Sequence, residues 1–201
     1  MDNRYINRRK IILASGSPRR KQLLEEASYD FEVKKTEIDE NYPDETPLHE
    51  IAQFLAEKKS EASISFIQND EILLTADSVV VLGNQIFGKP VDAKDAYRIL
   101  AHLSGKMHTV YTGVCLRDKS KKLSFTAASE VYFRVFDHEE ILWYLDTFKP
   151  YDKAGSYAVQ EWIGLSKIAR IEGSYTNIMG LPTDMVYEGL KSFEGVFEFS
   201  M

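Results

Sequence analysis

The sequence predicts a mixed α/β fold, because strand-like apolar runs alternate with stretches that repeat apolar residues at the helical period. The chain has 201 residues, of which 44% are hydrophobic and 12% aromatic, and this is enough apolar material for one full core. No apolar run approaches the roughly 18 residues of a membrane-spanning helix. We therefore expect a basic N-terminal extension over residues 1–9 and a single domain over residues 10–201.

The first elements follow from turn and periodicity signals. A short apolar run ends in a Gly-Ser-Pro turn, and the amphipathic stretch after it carries Leu23 and Leu24 on its inner face. An alternating run and a longer helical repeat come next, separated by an acidic loop over residues 37–45. The pattern thus predicts strand, helix, strand and helix, at residues 10–15, 19–27, 31–35 and 47–66.

The centre of the sheet is predicted at residues 72–82, a continuous β-branched run typical of a strand buried on both faces. Gly83 and Asn84 predict a tight turn into a short strand over residues 85–87. Cap and alternation signals then predict a helix over residues 92–103, a hairpin over 108–136, a helix capped at Asp137, a mixed segment over 153–181 and a closing helix over 182–193.

Charge and cysteine content exclude several classes of protein. Lys plus Arg is 25 and Asp plus Glu is 31, so the net charge of −6 argues against a nonspecific nucleic-acid or anionic-membrane binder. A polyanion site must then be a local basic pocket. The single cysteine, Cys115, cannot form an internal disulfide or a cysteine zinc site, which favours a reducing, cytoplasmic compartment.

The first candidate site is the turn from the first strand into the first helix. Backbone N–H groups at a helix N-terminus attract anions, with Ser17 predicted as the N-cap and Pro18 as the first helical residue. Ser15, Arg19 and Arg20 add hydroxyl and guanidinium donors suited to phosphate. The alternative is a capped helix with two exposed arginines, but adjacent arginines at the positive end of a helix dipole favour an anionic partner.

The second candidate is Asp77, a carboxylate within the most apolar strand. An unpaired buried carboxylate is costly, so Asp77 requires a metal, a lysine or a strand-end location. A structural ion pair is one interpretation. The other is a hard Mg²⁺ ion that bridges carboxylates and substrate phosphates, with Glu37, Asp39 and Glu40 available to share the site.

Weaker signals come from two isolated residues. The run from Gly83 to Lys89 superficially matches a phosphate-binding P-loop, but Pro90 replaces the required Ser or Thr and the segment lies in a predicted hairpin. Lys89 is therefore either a phosphate contact or a surface lysine. Gln160 has the planar amide needed to recognise a base edge, or it is an ordinary surface residue.

Read together, these segments resemble the Maf family of nucleoside triphosphate pyrophosphatases, also called septum formation inhibitor proteins. The resemblance extends from Ile11 to about Phe193, and it is specific because many short motifs occur in the order of the family. The motifs are SGSPRR at 15–20, EIDE at 37–40, EKK at 57–59, ADS at 76–78, GKP at 88–90, LSG at 103–105, YTG at 111–113, DKAG at 152–155, GSY at 173–175 and GLP at 180–182.

The resemblance implies an elongated, two-lobed Maf/ITPase-like α/β fold with a mixed sheet and a central cleft, usually assembled as a homodimer. The implied enzyme hydrolyses a nucleoside triphosphate to the monophosphate and pyrophosphate with a divalent metal, Mg²⁺ or Mn²⁺. The implied residue roles are Ser15, Arg19, Arg20, Lys59 and Lys89 on the triphosphate, Glu40 and Asp77 on the metal, and Asp77 as the general base.

Within the family, Arg19, Ser78 and Gln160 resemble the branch that acts on dTTP and UTP. The chain differs from that branch where Ser78 replaces the usual Thr and where Glu161 and Trp162 replace small residues, and Trp162 is expected to reshape the base pocket. The alternatives are the same reaction on 7-methyl-GTP or a non-canonical purine triphosphate, and a non-catalytic nucleotide sensor in division control.

Overall fold

One mixed sheet is the framework of the computed structural model, which describes residues 9–193 and contains seven strands in that range. The strands are β1 (Ile11–Leu13), β2 (Phe31–Val33), β3 (Ile72–Leu82), β4 (Gln85–Phe87), β5 (Met107–Arg117), β6 (Lys122–Phe133) and β7 (Ile168–Glu172). The helices are α1 (Pro18–Glu26), α2 (Ile51–Ala62), α3 (Ala93–Leu103), α4 (His138–Phe148), α5 (Trp162–Lys167), α6 (Tyr175–Met179) and α7 (Thr183–Lys191). The predicted N-terminal extension lies outside the described residues except for Arg9.

The strand order is β2-β1-β3-β5-β6-β7, and β4 pairs with β3 off this path. Strand β1 runs parallel to β2 and β3, whereas the remaining pairs are antiparallel. Strand β3 therefore lies inside the sheet, as its continuous β-branched run predicted. Ile72, Leu73 and Leu74 at its start are fully buried.

Two main apolar clusters divide the molecule into lobes, as the resemblance implied. The long strand β3 passes through both, since Leu74 belongs to the first cluster and Val80 to the second. The first cluster also contains residues of α1 and α7, such as Leu24 and Leu190. The second contains residues of α3 and α4. The middle of β3 therefore lies where the lobes meet.

Two local features differ from the sequence prediction. The helix predicted over residues 47–66 is shorter, because Ser63 leaves helical geometry (φ −107°) and a 3₁₀ turn follows over Ile64–Phe66. Strand β7 was not predicted, since Ile168 and Ile171 do not alternate; a register shift in its pairing with β6 explains that spacing. The segment 153–181 thus resolves into two short helices and an edge strand.

Within residues 9–193, no helix is long and apolar enough to cross a membrane.

Candidate active site

A cleft of about 580 Å³ opens where the two lobes meet. Its volume is within the range of pockets that bind small molecules. The cleft is formed by the β1–α1 turn, the loop before α2, the end of α2, the middle of β3 and the loop before α5. The structure brings all the site residues singled out from the sequence to this cleft, namely Ser15, Arg19, Arg20, Glu40, Lys59, Asp77, Ser78, Lys89 and Gln160.

The Asp77 carboxylate has a lysine partner. Lys59 Nζ lies 2.6 Å from Asp77 Oδ1 and 3.0 Å from Glu40 Oε1, so one ammonium joins two carboxylates. Burial alone would raise the pKa of Glu40, but the hydrogen bond and charge of Lys59, with a contribution from Lys89, hold it below its usual value. These three residues, Glu40, Lys59 and Asp77, form the carboxylate side of the cleft.

A glycine allows α2 to bring Lys59 within reach of Asp77. Gly113 on β5 pairs with Asp77 on β3, and a Cβ atom at Gly113 would lie 2.2 Å from the backbone nitrogen of Gln53 on α2. Only a glycine lets the helix lie this close to the sheet. Thr75 also donates a 2.7 Å hydrogen bond to the carbonyl of Ala56 on α2. The close approach of α2 thus explains why the YTG motif ends in a glycine.

Arg20 is buried and links three elements that line the cleft. Its Nε donates to the carbonyl of Gly180 at 2.8 Å, while Nη1 and Nη2 donate to the hydroxyls of Ser15 at 3.3 Å and Ser78 at 3.2 Å. Burial lowers the pKa of Arg20, and the charge of Asp77 opposes that shift. Arg20 therefore holds Ser15 and Ser78 in place, in addition to lining the cleft.

Ser17 stands at the predicted N-cap of α1 with extended backbone, and Pro18 is the first helical residue. The Ser17 side chain, however, makes no capping hydrogen bond. Instead, the N–H of Ser17 donates to the hydroxyl of Ser15 at 3.2 Å. The turn is therefore closed by Ser15 rather than by the cap residue.

The amide side of the cleft consists of Tyr157, Ala158 and Gln160. The Oε1 atom of Gln160 is buried and has no hydrogen-bond partner among the described residues. Tyr157 is buried behind this wall, and its hydroxyl shares a 2.8 Å hydrogen bond with Nε2 of His108. Desolvation lowers the pKa of His108 to about 3, so the imidazole is neutral. The amide side thus presents one acceptor that has no partner among the described residues.

Sequence reasoning missed one cation in the cleft, Lys153. Its side chain is only 11% exposed, and its Nζ lies 2.7 Å from Asp152 Oδ1 and 3.5 Å from Glu161 Oε1. The other oxygen of Asp152 pairs with Arg19 at 3.2 Å. The DKAG motif contained the signal, but neither its composition nor its spacing indicated that this lysine points into a cleft.

Two residues considered from the sequence lie away from the cleft. Asp39 accepts hydrogen bonds from the backbone and side chain of Asn41, so of the acids in its motif only Glu37 and Glu40 line the cleft. Trp162 packs edge-on against Trp143 of α4, with ring centroids 5.1 Å apart. The expectation that Trp162 reshapes the base pocket is therefore wrong.

The carboxylate side fits a divalent cation in its donor chemistry. Within residues 9–193, no group of three or more His, Cys, Asp or Glu side chains is assembled for a metal. Mg²⁺ does not need such a cage, since it commonly binds one or two carboxylates together with substrate phosphates and water. Glu40 and Asp77, which already share one cation in Lys59, are two carboxylates of that kind.

The sequence profile described as Maf-like protein matches residues 10–193. The chain belongs to this family. Three relatives of this Maf-like protein each carry the name dTTP/UTP pyrophosphatase. The Parabacteroides distasonis protein is 46% identical over 92% of this chain and 96% of its own length. The Flavobacterium johnsoniae protein is 44% identical over 90% of this chain and 93% of its own length. The Porphyromonas gingivalis protein is 44% identical over 96% of this chain and 98% of its own length. These matches confirm the resemblance inferred from the ordered motifs.

A solved structure supports the fold of this Maf-like protein. The Staphylococcus aureus Ham1 protein superposes with a TM-score of 0.54, covering 92% of this chain and 100% of its own. Its sequence identity is 12%, so the similarity concerns the fold alone. The predicted mixed, two-lobed α/β class is therefore confirmed.

Proposed function

We propose that this Maf-like protein hydrolyses dTTP and UTP to the monophosphate and pyrophosphate. The names of its relatives support a nucleotide pyrophosphatase activity. The observation that carries the proposal is the position of Asp77, a half-buried carboxylate inside a cleft rich in cations. Those cations are Arg19, Arg20, Lys59, Lys89 and Lys153. Such a site suits a triphosphate in a protein whose net charge is −6.

In the proposed reaction, water attacks the α-phosphorus. A bond forms between the water oxygen and that phosphorus, and the bond to the oxygen bridging the β-phosphorus breaks, so that pyrophosphate leaves with the electron pair. Asp77 accepts the proton that the water loses. Lys59, Lys89 and Arg19 stabilise the negative charge that develops on the phosphate oxygens.

The proposal includes a divalent cation, Mg²⁺ or Mn²⁺, that Glu40 and Asp77 would hold and that would neutralise phosphate charge when bound. Before a nucleotide arrives, Lys59 neutralises the same two carboxylates. A triphosphate offers Lys59 new anionic partners, which frees Asp77 to accept a proton.

Gln160 supports the choice of base. A buried acceptor without a partner destabilises a site, and a ligand that donates to it removes that cost. The ring nitrogen N3 of thymine and uracil carries a proton, whereas N3 of cytosine does not. Oε1 of Gln160 can therefore accept from N3–H while the amide N–H donates to a neighbouring carbonyl of the base.

We further propose, on the family resemblance, that the protein acts in the cytoplasm as a homodimer. Light scattering coupled to size-exclusion chromatography tests the assembly, and a single species with the mass of one chain would contradict it. The same resemblance is compatible with two cellular roles, the removal of modified nucleotides and the arrest of septum formation.

The test of the reaction is chromatographic. Purified protein is incubated with Mg²⁺ or Mn²⁺ and, separately, with dTTP, UTP, CTP, GTP, ITP and 7-methyl-GTP. We expect monophosphate and pyrophosphate from dTTP and UTP. Diphosphate with phosphate would refute the bond choice, preference for 7-methyl-GTP or ITP would refute the base choice, and binding without turnover would indicate a nucleotide sensor.

A further inference from the structure

Glu161 directly follows Gln160 in the chain but does not line the cleft. Its side chain is 19% exposed and its carboxylate has two partners. The hydroxyl of Tyr144, a fully buried residue of α4, donates a hydrogen bond to Oε2, and Nζ of Lys153 lies 3.5 Å from Oε1. Glu161 therefore joins α4 to the loop that carries Gln160.

The same tyrosine also holds the other side of Gln160. The N–H of Ala158 donates to the Tyr144 hydroxyl at 3.3 Å. One hydroxyl thus contacts the chain two residues before Gln160 and one residue after it. Because Tyr144 is part of a helix packed in the second apolar cluster, this anchor is tied to the core of that lobe.

Backbone packing restricts the segment further. A Cβ atom at Gly164 of α5 would lie 1.6 Å from the carbonyl oxygen of Val159, so the helix rests directly on the chain beside Gln160. The N–H of Glu161 donates to the carbonyl of Ala158 at 3.1 Å and closes a turn that contains Gln160. A fixed Glu161 therefore holds the end of the turn from which Gln160 lines the cleft.

We propose that Glu161 is a positioning residue for base recognition. Through Tyr144 and Lys153 it fixes the orientation of the Gln160 amide, so that the buried Oε1 atom meets a donor on the correct base. This inference rests on the proposed function, because it assigns Glu161 to the selection of dTTP and UTP.

The two contacts of Glu161 can be separated by substitution. Glu161→Ala removes both contacts, whereas Glu161→Gln keeps an acceptor for the Tyr144 hydroxyl and loses only the charge that faces Lys153. Tyr144→Phe removes the shared hydroxyl without changing the size of the buried ring. Neither Glu161 nor Tyr144 lines the cleft, so all three variants leave its lining residues in place.

The experiment compares kcat/KM for dTTP with kcat/KM for dCTP, and measures inhibition by inorganic pyrophosphate as a probe of the triphosphate contacts. We expect Glu161→Ala and Tyr144→Phe to reduce the ratio of the two kcat/KM values by about tenfold, because a misdirected amide discriminates poorly. Glu161→Gln should keep most of the ratio. Pyrophosphate inhibition should not weaken in any variant, because every cation that lines the cleft keeps its charge.

The matched control is Glu188→Ala, which removes an exposed glutamate paired with Lys191 on α7 and should leave the ratio unchanged. An unchanged ratio in both Glu161→Ala and Tyr144→Phe would overturn the positioning role. Equal losses for both nucleotides with weaker pyrophosphate inhibition would also overturn it, since a general structural role predicts that result. If the wild-type protein hydrolyses neither nucleotide, the proposed function fails, and the ratio of dissociation constants then tests the positioning role separately.

Discussion

On the carboxylate side of the cleft, Lys59 already satisfies Glu40 and Asp77, while on the amide side Oε1 of Gln160 is buried without a partner. The difference follows from the free energy of desolvation. An ionised group taken out of water without a partner costs far more than a neutral amide oxygen, so the charges must pair within the protein. A neutral acceptor can remain unpaired until a ligand supplies the donor.

The two sides should therefore respond differently to substitution. In the proposed function, the triphosphate exchanges partners with the paired groups of the carboxylate side, and these phosphates are common to all nucleotides. In the same proposal, the base adds a contact on the amide side that only some bases can make. We expect substitutions on the first side to affect every nucleotide, and substitutions on the second to change the ratio between nucleotides.

The largest effect is expected for Asp77→Asn. The amide keeps the size of the side chain but cannot accept the proton of the attacking water, so kcat for dTTP should fall by about 10³-fold. Binding of a non-hydrolysable dTTP analogue should be retained. Product chromatography and calorimetric titration measure the two quantities.

Asp95→Asn is the matched control for Asp77→Asn, because Asp95 is a carboxylate of α3 that pairs with Arg98 outside the cleft. It should leave kcat unchanged. Turnover by Asp77→Asn at the wild-type rate would exclude Asp77 as the general base. It would also contradict the expectation that substitutions on the carboxylate side lower turnover of every nucleotide.

Lys59→Met should lower kcat/KM for every nucleotide by about 10²-fold, because it removes a cation that stabilises developing charge. It should also tighten Mn²⁺ binding in the absence of nucleotide, since Glu40 and Asp77 lose the ammonium between them. Water-proton relaxation measures Mn²⁺ binding independently of turnover.

The control for Lys59→Met is Lys21→Met, which removes an exposed lysine paired with Glu25 on α1. It should change neither quantity. Weaker Mn²⁺ binding by Lys59→Met would show that Lys59 does not compete with a cation for the carboxylates.

How far the site could be predicted also differs between the two sides. Asp77 gave a clear signal, because a carboxylate within an apolar strand demands a partner. The identity of that partner did not follow from the residues, since the reach of Lys59 depends on the close packing of α2 on Gly113. Only the family resemblance supplied Lys59. Long-range packing of this kind leaves no local pattern in the sequence.

On the amide side, local patterns were weaker and one interpretation was wrong. Gln160 alone read as either a base contact or a surface residue. In the structure it lines the cleft with a buried Oε1 atom, and its contact with the base is part of the proposed function. Lys153 was missed because nothing in its spacing shows that it faces a cleft. Trp162 was expected to reshape the base pocket, whereas it packs against Trp143 of α4 and does not line the cleft.

The accuracy of the strand predictions also depends on how clear the local sequence pattern is. Strand β3 matched its predicted range of 72–82, because burial on both faces demands a continuous apolar run. Strand β7 lies at the sheet edge, where three of its five residues are exposed and a register shift disturbs the alternation. Edge strands carry less apolar patterning, so periodicity detects them poorly.

Gln160→Ala should reduce the dTTP-to-dCTP ratio of kcat/KM by about tenfold or more, because the buried amide that distinguishes the bases is lost. Inhibition by pyrophosphate should be unchanged. Gln22→Ala, at an exposed glutamine of α1 that bonds Glu26, is the control and should alter neither quantity. Equal losses of kcat/KM for all bases would reject Gln160 as the base contact. Substitutions on both sides of the cleft would then affect every nucleotide in the same way.

The smallest effect concerns stability behind the amide side, where His108 supports Tyr157. Its pKa is lowered to about 3 by desolvation, whereas an unfolded histidine titrates near its ordinary value of about 6.5. Between these values the unfolded chain binds more protons than the folded chain. The free energy of unfolding therefore falls as the pH decreases from about 6.5, by at most about 1.4 kcal/mol per pH unit from this group.

His108→Phe removes that titration but leaves the Tyr157 hydroxyl without its partner, so we expect lower stability at pH 7 and a shallower loss between pH 6.5 and pH 5. Carboxylates whose pKa values are lowered in the folded state, such as Glu40 and Asp152, contribute equally to both proteins and cancel in the comparison. Urea unfolding at several pH values measures the slope, and His49→Phe, at an exposed histidine, is the control. Identical slopes for wild type and His108→Phe would mean that His108 titrates normally and that the wall behind Gln160 is open to water.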